Sequence, residues 1–523
     1  MPPSGFHKSL SSAITSEDGL VETPGVELLE ALGWTHSNLF DENVGEDNTT
    51  GRASFRELVL PARLRAALQK LNPTVPEEAL QQAEIVLTID RSAMLPVAAN
   101  RAVYKLLRDG VTVQVRQADG SPKDERVAVI DWTHPAENDF FLGSQVWIES
   151  NLYSRRPDAI GFVNGIPLLL IEWKDVTKPV QDAYEANLRD YRDAIPRLFD
   201  FNGFVILSNG LEALMGPSHA PFDIFAPWKR LKEDGPESVA LETMLRATCE
   251  PSRFLDLVEN FLLFDDAKGG LRKVAAKYHQ VLGVNRAIEA VKEIGENQGR
   301  LGVFWHTQGS GKSLSMVMFA EKVLRRLGGN WTFVIVTDRQ ELDEQIVGNF
   351  ATTGALTKLV KDCQAGSRAH LRELLAGQER YIFTLIHKFS TADREPMPVL
   401  SERRDIIVIT DEAHRSQYDQ LAANMRRALP NAAFIGFTGT PLIAGQEERT
   451  REVFGDYVSV YNFAQSIADG ATVPLYYEAR KPELQLAADE LKDELDALLD
   501  EAALDEEQEK KLQQTFGKQY HLI

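Results

Sequence analysis

The sequence predicts an α/β protein built in at least two parts, the second of them organised on a parallel sheet. From about residue 251 onward, near-continuous apolar runs such as WTFVIVTD (331–338), RDIIVITDEAH (404–414) and AAFIGFTGT (432–440) alternate with helical stretches. Strands that are apolar on both faces and separated by helices imply a parallel sheet covered on both sides. The earlier residues mix helical patterns with strands and close on GFVILSNG (203–210), a buried-strand run ended by Asn-Gly. A chain of 523 residues also exceeds what one hydrophobic core organises.

Composition narrows the class. Hydrophobic residues make up 43% and charged residues 26%, as in a water-soluble globular protein. No apolar run approaches the roughly 20 residues that span a bilayer, and the start MPPSGFHKSLSSAITSEDGL has no apolar signal core. Cys249 and Cys363 are too few for a disulfide framework or a cysteine zinc site. The expectation is a cytoplasmic protein with no membrane partner.

The net charge of −20 argues on its face against a phosphate-rich partner, but the acid is uneven. Residues 481–523 hold 12 Asp and Glu against 5 Lys and Arg. That stretch reads as a solvated amphipathic helix. A local basic groove on an acidic body remains compatible with the total. Weak non-specific DNA binding by this chain alone is expected.

HTQGSGKS (306–313) follows the apolar strand LGVFW and opens the helical run LSMVMFAEKVL. Strand, glycine-rich turn, Lys-Ser and helix is the context of a phosphate-binding loop: backbone amides approach the phosphates, and the helix N-terminus adds partial positive charge. Gly309, Ser310 and Gly311 would form the cradle, Lys312 would reach the outer phosphates and Ser313 would hold Mg²⁺. His306 stands where such loops usually begin with glycine. By itself GSGKS can also be a flexible turn.

A second signal favours the loop. DEAH (411–414) ends the strand RDIIVIT, and TGTP (438–441) ends the next one. Asp411 would bind the Mg²⁺ of a bound nucleotide and Glu412 would polarise the attacking water. An ordinary acidic helix start is the alternative, which the two neighbouring motifs disfavour. Together these residues resemble superfamily 2 helicases and translocases. The resemblance implies that Gln280 in KYHQ reads adenine, that TDRQELDEQ (337–345) touches the tracked strand, and that Thr438 and Thr440 couple hydrolysis to movement.

Further toward the N-terminus, RRPDAIGFVNGIPLLLIEWK (155–174) carries Asp158, Glu172 and Lys174. Asn164-Gly165 reads as a hairpin turn between two apolar strands, which folds Asp158 back against the strand bearing Glu172. Glu172 and Lys174, two apart, share one face of that strand, and Trp173 faces the core on the other. Two carboxylates and a lysine converging there can hold Mg²⁺ and orient water against a phosphodiester. Pro-Asp and Glu-x-Lys also occur by chance, so an undistinguished strand end is the alternative. His306 and His387 read as loop or packing residues, because no second ligand lies at zinc spacing.

This arrangement resembles the PD-(D/E)xK nucleases, and the wording RPD…FVNGIPL…IEWK is similar to the restriction subunit of type I restriction enzymes. The resemblance extends to LGW (32–34), LNP (71–73) and VPLYYEAR (473–480), and so to nearly the whole chain. The family's Gln-x-x-x-Tyr motif is matched here by NLRDY, with Asn187 in place of glutamine and Tyr191 in register.

The resemblance implies a PD-(D/E)xK endonuclease-like domain over residues 1–235 and a first RecA-like, ATP-binding motor lobe over 236–465. Residues 466–523 would be an incomplete start of a second lobe or an acidic helical tail. The implied activity is Mg²⁺-dependent cleavage of double-stranded DNA coupled to ATP-dependent translocation, with modification (methyltransferase) and specificity subunits as partners. Residues after Val473 are too few for a second lobe and show no arginine-finger motif, so the chain is expected to be the front portion of a longer subunit with a deficient ATPase. The other readings are a nuclease-helicase of DNA repair and a truncated remnant that binds ATP or DNA without turnover.

Overall fold

A computed structural model describes residues 21–45, 48, 50–117, 119–238, 240–391, 397–411, 418–440 and 447–473. The chain separates into the units Met1–Thr472 and Val473–Ile523, and the second lies almost wholly outside the described residues. The mixed α/β class is as expected, and the first unit contains two large sheets.

The first sheet has seven strands, laid side by side in chain order: Thr35–Asn38 (β1), Phe140–Ser144 (β2), Ala159–Val163 (β3), Ile166–Trp173 (β4), Phe204–Ser208 (β5), Ala213–Gly216 (β6) and Ala226–Pro227 (β7). Every residue of β4 is buried, which accounts for its unbroken apolar run. Strands β3 and β4 form the hairpin expected at Asn164-Gly165, with φ of +52° and +77° at the two turn residues. Asn and Gly tolerate these left-handed values. A Cβ on Gly165 would lie 2.6 Å from the Leu60 carbonyl oxygen, so sterics require glycine there as well.

Helix Thr23–Ala31 (α1) lies across this sheet so closely that a Cβ on Gly25 would meet the Trp173 ring at 2.7 Å. Trp173 therefore does pack in the core, fully buried. Helices Leu241–Thr248 (α2) and Pro251–Asn260 (α3) follow a stretch that carries Pro217, Pro221, Pro227 and Pro236. Phe254 of α3 packs edge-on against Trp34, 5.3 Å between centroids, and lies 5.3 Å from Phe204 of β5. Trp34 Nε1 donates to the Cys249 carbonyl at 2.7 Å. These helices lie beyond residue 235 in sequence, yet their aromatic face belongs to the core of the first sheet.

A hairpin, Leu262–Ala267 (β8) and Gly270–Ala275 (β9), precedes the second sheet. That sheet comprises Arg300–His306 (β10), Thr332–Thr337 (β11), Tyr381–Leu385 (β12), Ile406–Asp411 (β13), Ala433–Thr438 (β14) and Tyr457–Tyr461 (β15). All pairs are parallel, in the order β12-β11-β13-β14-β10-β15. Helices Tyr278–Lys292 (α4), Lys312–Arg326 (α5) and Gln340–Thr352 (α6) pack on it. Parallel strands bring His306, Thr337, Asp411 and Thr438 to one carboxyl edge, where open α/β sheets bind ligands.

Candidate active sites

In the first sheet, Ala159 pairs with Ile171, which sets Asp158 opposite Glu172 across the β3–β4 hairpin. The Asp158 amide donates to Glu172 Oε1 at 3.2 Å, and Asp158 Oδ2 accepts the Trp173 amide at 2.9 Å. Glu172 is fully buried, and its Oε2 has no hydrogen-bond partner. Burial, and then the Asp158 charge, push the Glu172 carboxyl well above its usual range; burial also raises Asp158, against the opposing pull of Lys174 and Arg156. An unpartnered buried carboxylate oxygen beside a second carboxylate is costly unless a proton or a cation joins it. The pair thus fits a divalent cation. No cluster of three or more His, Cys, Asp or Glu suited to a metal occurs among the described residues.

Lys174 sits half-buried just past β4, its amide bonded to the Ser208 carbonyl at 2.8 Å and its ammonium to the Trp173 carbonyl at 2.9 Å. A π-helical turn, Ala183–Leu188, runs into the helix Arg189–Ala194. It places Asn187 so that its amide donates to the Tyr191 hydroxyl at 3.3 Å. Burial and the nearby Glu172 charge raise the Tyr191 phenol. The tyrosine of the motif with asparagine in place of glutamine thus lies near enough to feel the Glu172 charge.

Gln145 is a feature that sequence reading did not find. Its φ is +54°, its amide donates to the Asp158 carbonyl at 2.7 Å, and its side chain donates to both oxygens of Glu22 at 3.2 Å. This left-handed residue braces the backbone at Asp158. Nothing in the local sequence signals it.

At the edge of the second sheet, Gly309 and Gly311 adopt φ of +84° and +86°, and Gly311 is the left-handed residue immediately before α5. The Lys312 ammonium donates to the carbonyls of His306 (3.1 Å) and Thr307 (3.4 Å) and lies 3.2 Å from the Cβ position of Gly439. Ser313 follows in the first turn of α5. Ser310 is buried, and its hydroxyl has no hydrogen-bond partner. An orphaned hydroxyl inside a loop of left-handed glycines fits a phosphate acceptor.

Gln280 faces this loop. Its Nε2 donates to the Gly311 carbonyl at 3.1 Å and to Ser315 Oγ at 3.3 Å, and its Oε1 accepts the Lys277 amide at 2.9 Å. Asp411 ends β13 on the same edge, largely buried. Thr438 Oγ1 donates to the Thr440 carbonyl and accepts the Thr440 amide, at 3.1 and 3.2 Å. Glu412, expected to polarise water, lies outside the described residues.

Residues 14–223 match the family described as type I restriction enzyme R protein N terminus, and residues 279–511 match the SWI2/SNF2 ATPase family. The type I restriction enzyme HindI endonuclease subunit of Haemophilus influenzae is 40% identical over 92% of this chain and 48% of that protein. The N-terminal part of the chain thus matches the R proteins of type I restriction enzymes, and its later part matches SWI2/SNF2 ATPases. A Methanocaldococcus jannaschii protein, provisionally named the type I restriction enzyme MjaIXP endonuclease subunit, is 31% identical over 97% of this chain and 50% of its own length. The chain spans about half the length of the curated relatives it matches. Its order of parts, first the Asp158–Glu172 hairpin and then the glycine loop, follows the order of the two matched families.

Proposed function

We propose that this chain carries the DNA-cleaving and ATP-binding portions of a type I restriction endonuclease subunit, with residues 1–235 as nuclease and 236–465 as first motor lobe. One observation supports the reading above others: Asp158 and the fully buried Glu172, with its unpartnered oxygen, precede a glycine-bounded Lys312 loop in one polypeptide. Asp158 and Glu172 would hold Mg²⁺, which when bound supplies charge neutralisation at phosphate and a more acidic water. Lys174 brings an ammonium to the same strand end for the attacked phosphate, and the Tyr191 phenol, bonded by Asn187, lies within reach of the Glu172 charge.

On the second sheet, the Gly309–Gly311 amides and Lys312 would receive the phosphates of ATP. Ser313 and Asp411 would hold its Mg²⁺, and Glu412 would polarise water. Gln280 would read adenine from a position already tied to the loop. The substrate in this reading is double-stranded DNA, and the partners are modification and specificity subunits in the cytoplasm. No described helix is long and apolar enough to cross a membrane.

The test is calorimetric titration of the whole chain with Mg²⁺ and with Mg-ATP, alongside a plasmid-nicking assay with the partner subunits added. Binding of both ligands, lost separately in Asp158→Ala and Lys312→Ala, supports the reading. Absence of both from the folded wild-type chain overturns it.

A further inference from the structure

The segment that leaves β7, the edge strand of the first sheet, crosses directly to β15, the edge strand of the second. Glu233 Oε1 accepts the Ser459 hydroxyl at 2.7 Å and the Val460 amide at 2.9 Å. Ser459 is almost fully buried, and its Oγ lies 2.7 Å from His306 Nε2. The directions of these bonds are settled by counting protons. The Ser459 hydroxyl proton is directed to Glu233, so Ser459 Oγ accepts and His306 Nε2 carries the proton. His306 Nδ1 is then the bare nitrogen, and it is buried without a partner. Burial holds this imidazole neutral, in agreement with that assignment.

His306 is the last residue of β10, and its carbonyl is a contact of the Lys312 ammonium. The side chain that replaces the usual glycine is therefore a fixed post from which the loop starts, and Glu233 orients it from outside the sheet. Gly283 of α4 makes room for the relay, since a Cβ there would meet Ser459 Oγ at 2.6 Å.

A second tie runs in parallel from the same segment. Lys229 pairs with Asp469, which accepts hydroxyls from Tyr278 (2.9 Å) and Tyr461 (2.7 Å). The Tyr461 ring stacks on His279 at 3.8 Å, and His279 Nε2 is 3.2 Å from the Ser310 carbonyl. The Tyr461 carbonyl also accepts the Thr307 amide at 3.0 Å. Both ends of the glycine loop are thereby held by groups that the segment after β7 contacts.

We infer that Glu233 is a positioning residue for the phosphate loop, acting through Ser459 and His306, so that nucleotide affinity depends on how the segment leaving the nuclease sheet is seated. The inference rests on the reading of the loop as an ATP site.

The experiment is Mg-ATP titration of the full chain in five forms: wild type, Lys312→Ala, Glu233→Ala, Glu233→Gln and Ser459→Ala, with the Glu233→Ala/Ser459→Ala double variant for coupling. The expected result is a loss of about tenfold in affinity for Glu233→Ala and for Ser459→Ala, with no further loss in the double variant. Glu233→Gln keeps an acceptor oxygen and should bind within about twofold of wild type. Wild-type affinity in Glu233→Ala, or fully additive losses in the double variant, would overturn the inference while leaving the ATP site intact. Failure of the wild type to bind, or equal binding by Lys312→Ala, would overturn the ATP reading, and the inference with it. If Glu233→Ala does not fold, Ser459→Ala and Glu233→Gln decide the same question.

Discussion

The amide of Asp158 donates to the carboxylate of Glu172, 14 residues away, while the Asp158 carboxylate turns to accept the amide of Trp173. Each acid is thus held by the backbone of the other's strand. Two carboxylates fixed side by side, one with an unsatisfied oxygen, have the arrangement that the proposed cation site requires.

The two proposed sites should be separable. Asp158→Ala should lower Mg²⁺ or Mn²⁺ affinity at the first sheet by more than about 100-fold and abolish nicking, while leaving Mg-ATP affinity within about twofold of wild type. Lys312→Ala should have the reverse pattern in a nuclease-only assay. Calorimetry on the two variants checks this, and equal loss of both ligands in either variant would count against two independent sites.

Metal binding at the carboxylate pair should strengthen with pH. Burial raises both groups above the ordinary 3.8 of Asp158 and 4.5 of Glu172, and the Asp158 charge raises Glu172 further. Between those ordinary values and the raised ones, the folded protein holds protons that the unfolded chain has released. Metal-free stability from this pair is therefore greatest below the ordinary values and falls as pH rises through the raised ones. Cation affinity climbs over the same interval, by about tenfold per pH unit for each proton displaced. Thermal melts in EDTA against pH, compared with Asp158→Asn/Glu172→Gln, should show the fall in wild type and its disappearance in the double variant.

Gly165→Ala should destabilise the chain by about 3 kcal/mol, from the left-handed conformation together with the close approach to Leu60. Urea denaturation measures this. Because the turn sets the register of Asp158 against Glu172, cation affinity should fall in the variant even under conditions where it remains folded.

Lys273 of β9 is buried, donates to the Asn202 carbonyl at 2.5 Å, and is pushed down by burial to about 7 from 10.5. Below pH 7 both folded and unfolded chains are protonated and the burial penalty is felt in full. As pH rises from about 7 to 10.5 only the unfolded chain keeps the proton, so this group's contribution to stability improves. Lys273→Met should raise stability at pH 6 by at least about 1 kcal/mol and flatten the alkaline rise, as read by thermal melts from pH 6 to 10.

Much of this molecule is legible locally. Alternation of apolar runs with helices is enough to determine the parallel second sheet, because a strand covered on both faces must be apolar along its whole length. Asn164-Gly165 determines the hairpin, because few other pairs tolerate two successive left-handed residues. The same local logic places Gly309, Gly311 and Lys312 between a strand and a helix. Tertiary structure alone decided the rest. Glu172 became a buried acid with an unpartnered oxygen only when the sheet covered it opposite Asp158. Helices 241–260 were drawn to the first sheet by Phe254, whose partners Trp34 and Phe204 are distant in sequence. His306 reads as a broken loop motif until Ser459, 153 residues later, and Glu233 are brought to it. Periodicity and turn chemistry act over a few residues and can be read along the chain, whereas burial, charge coupling and hydrogen-bond relays depend on which surfaces the topology brings together.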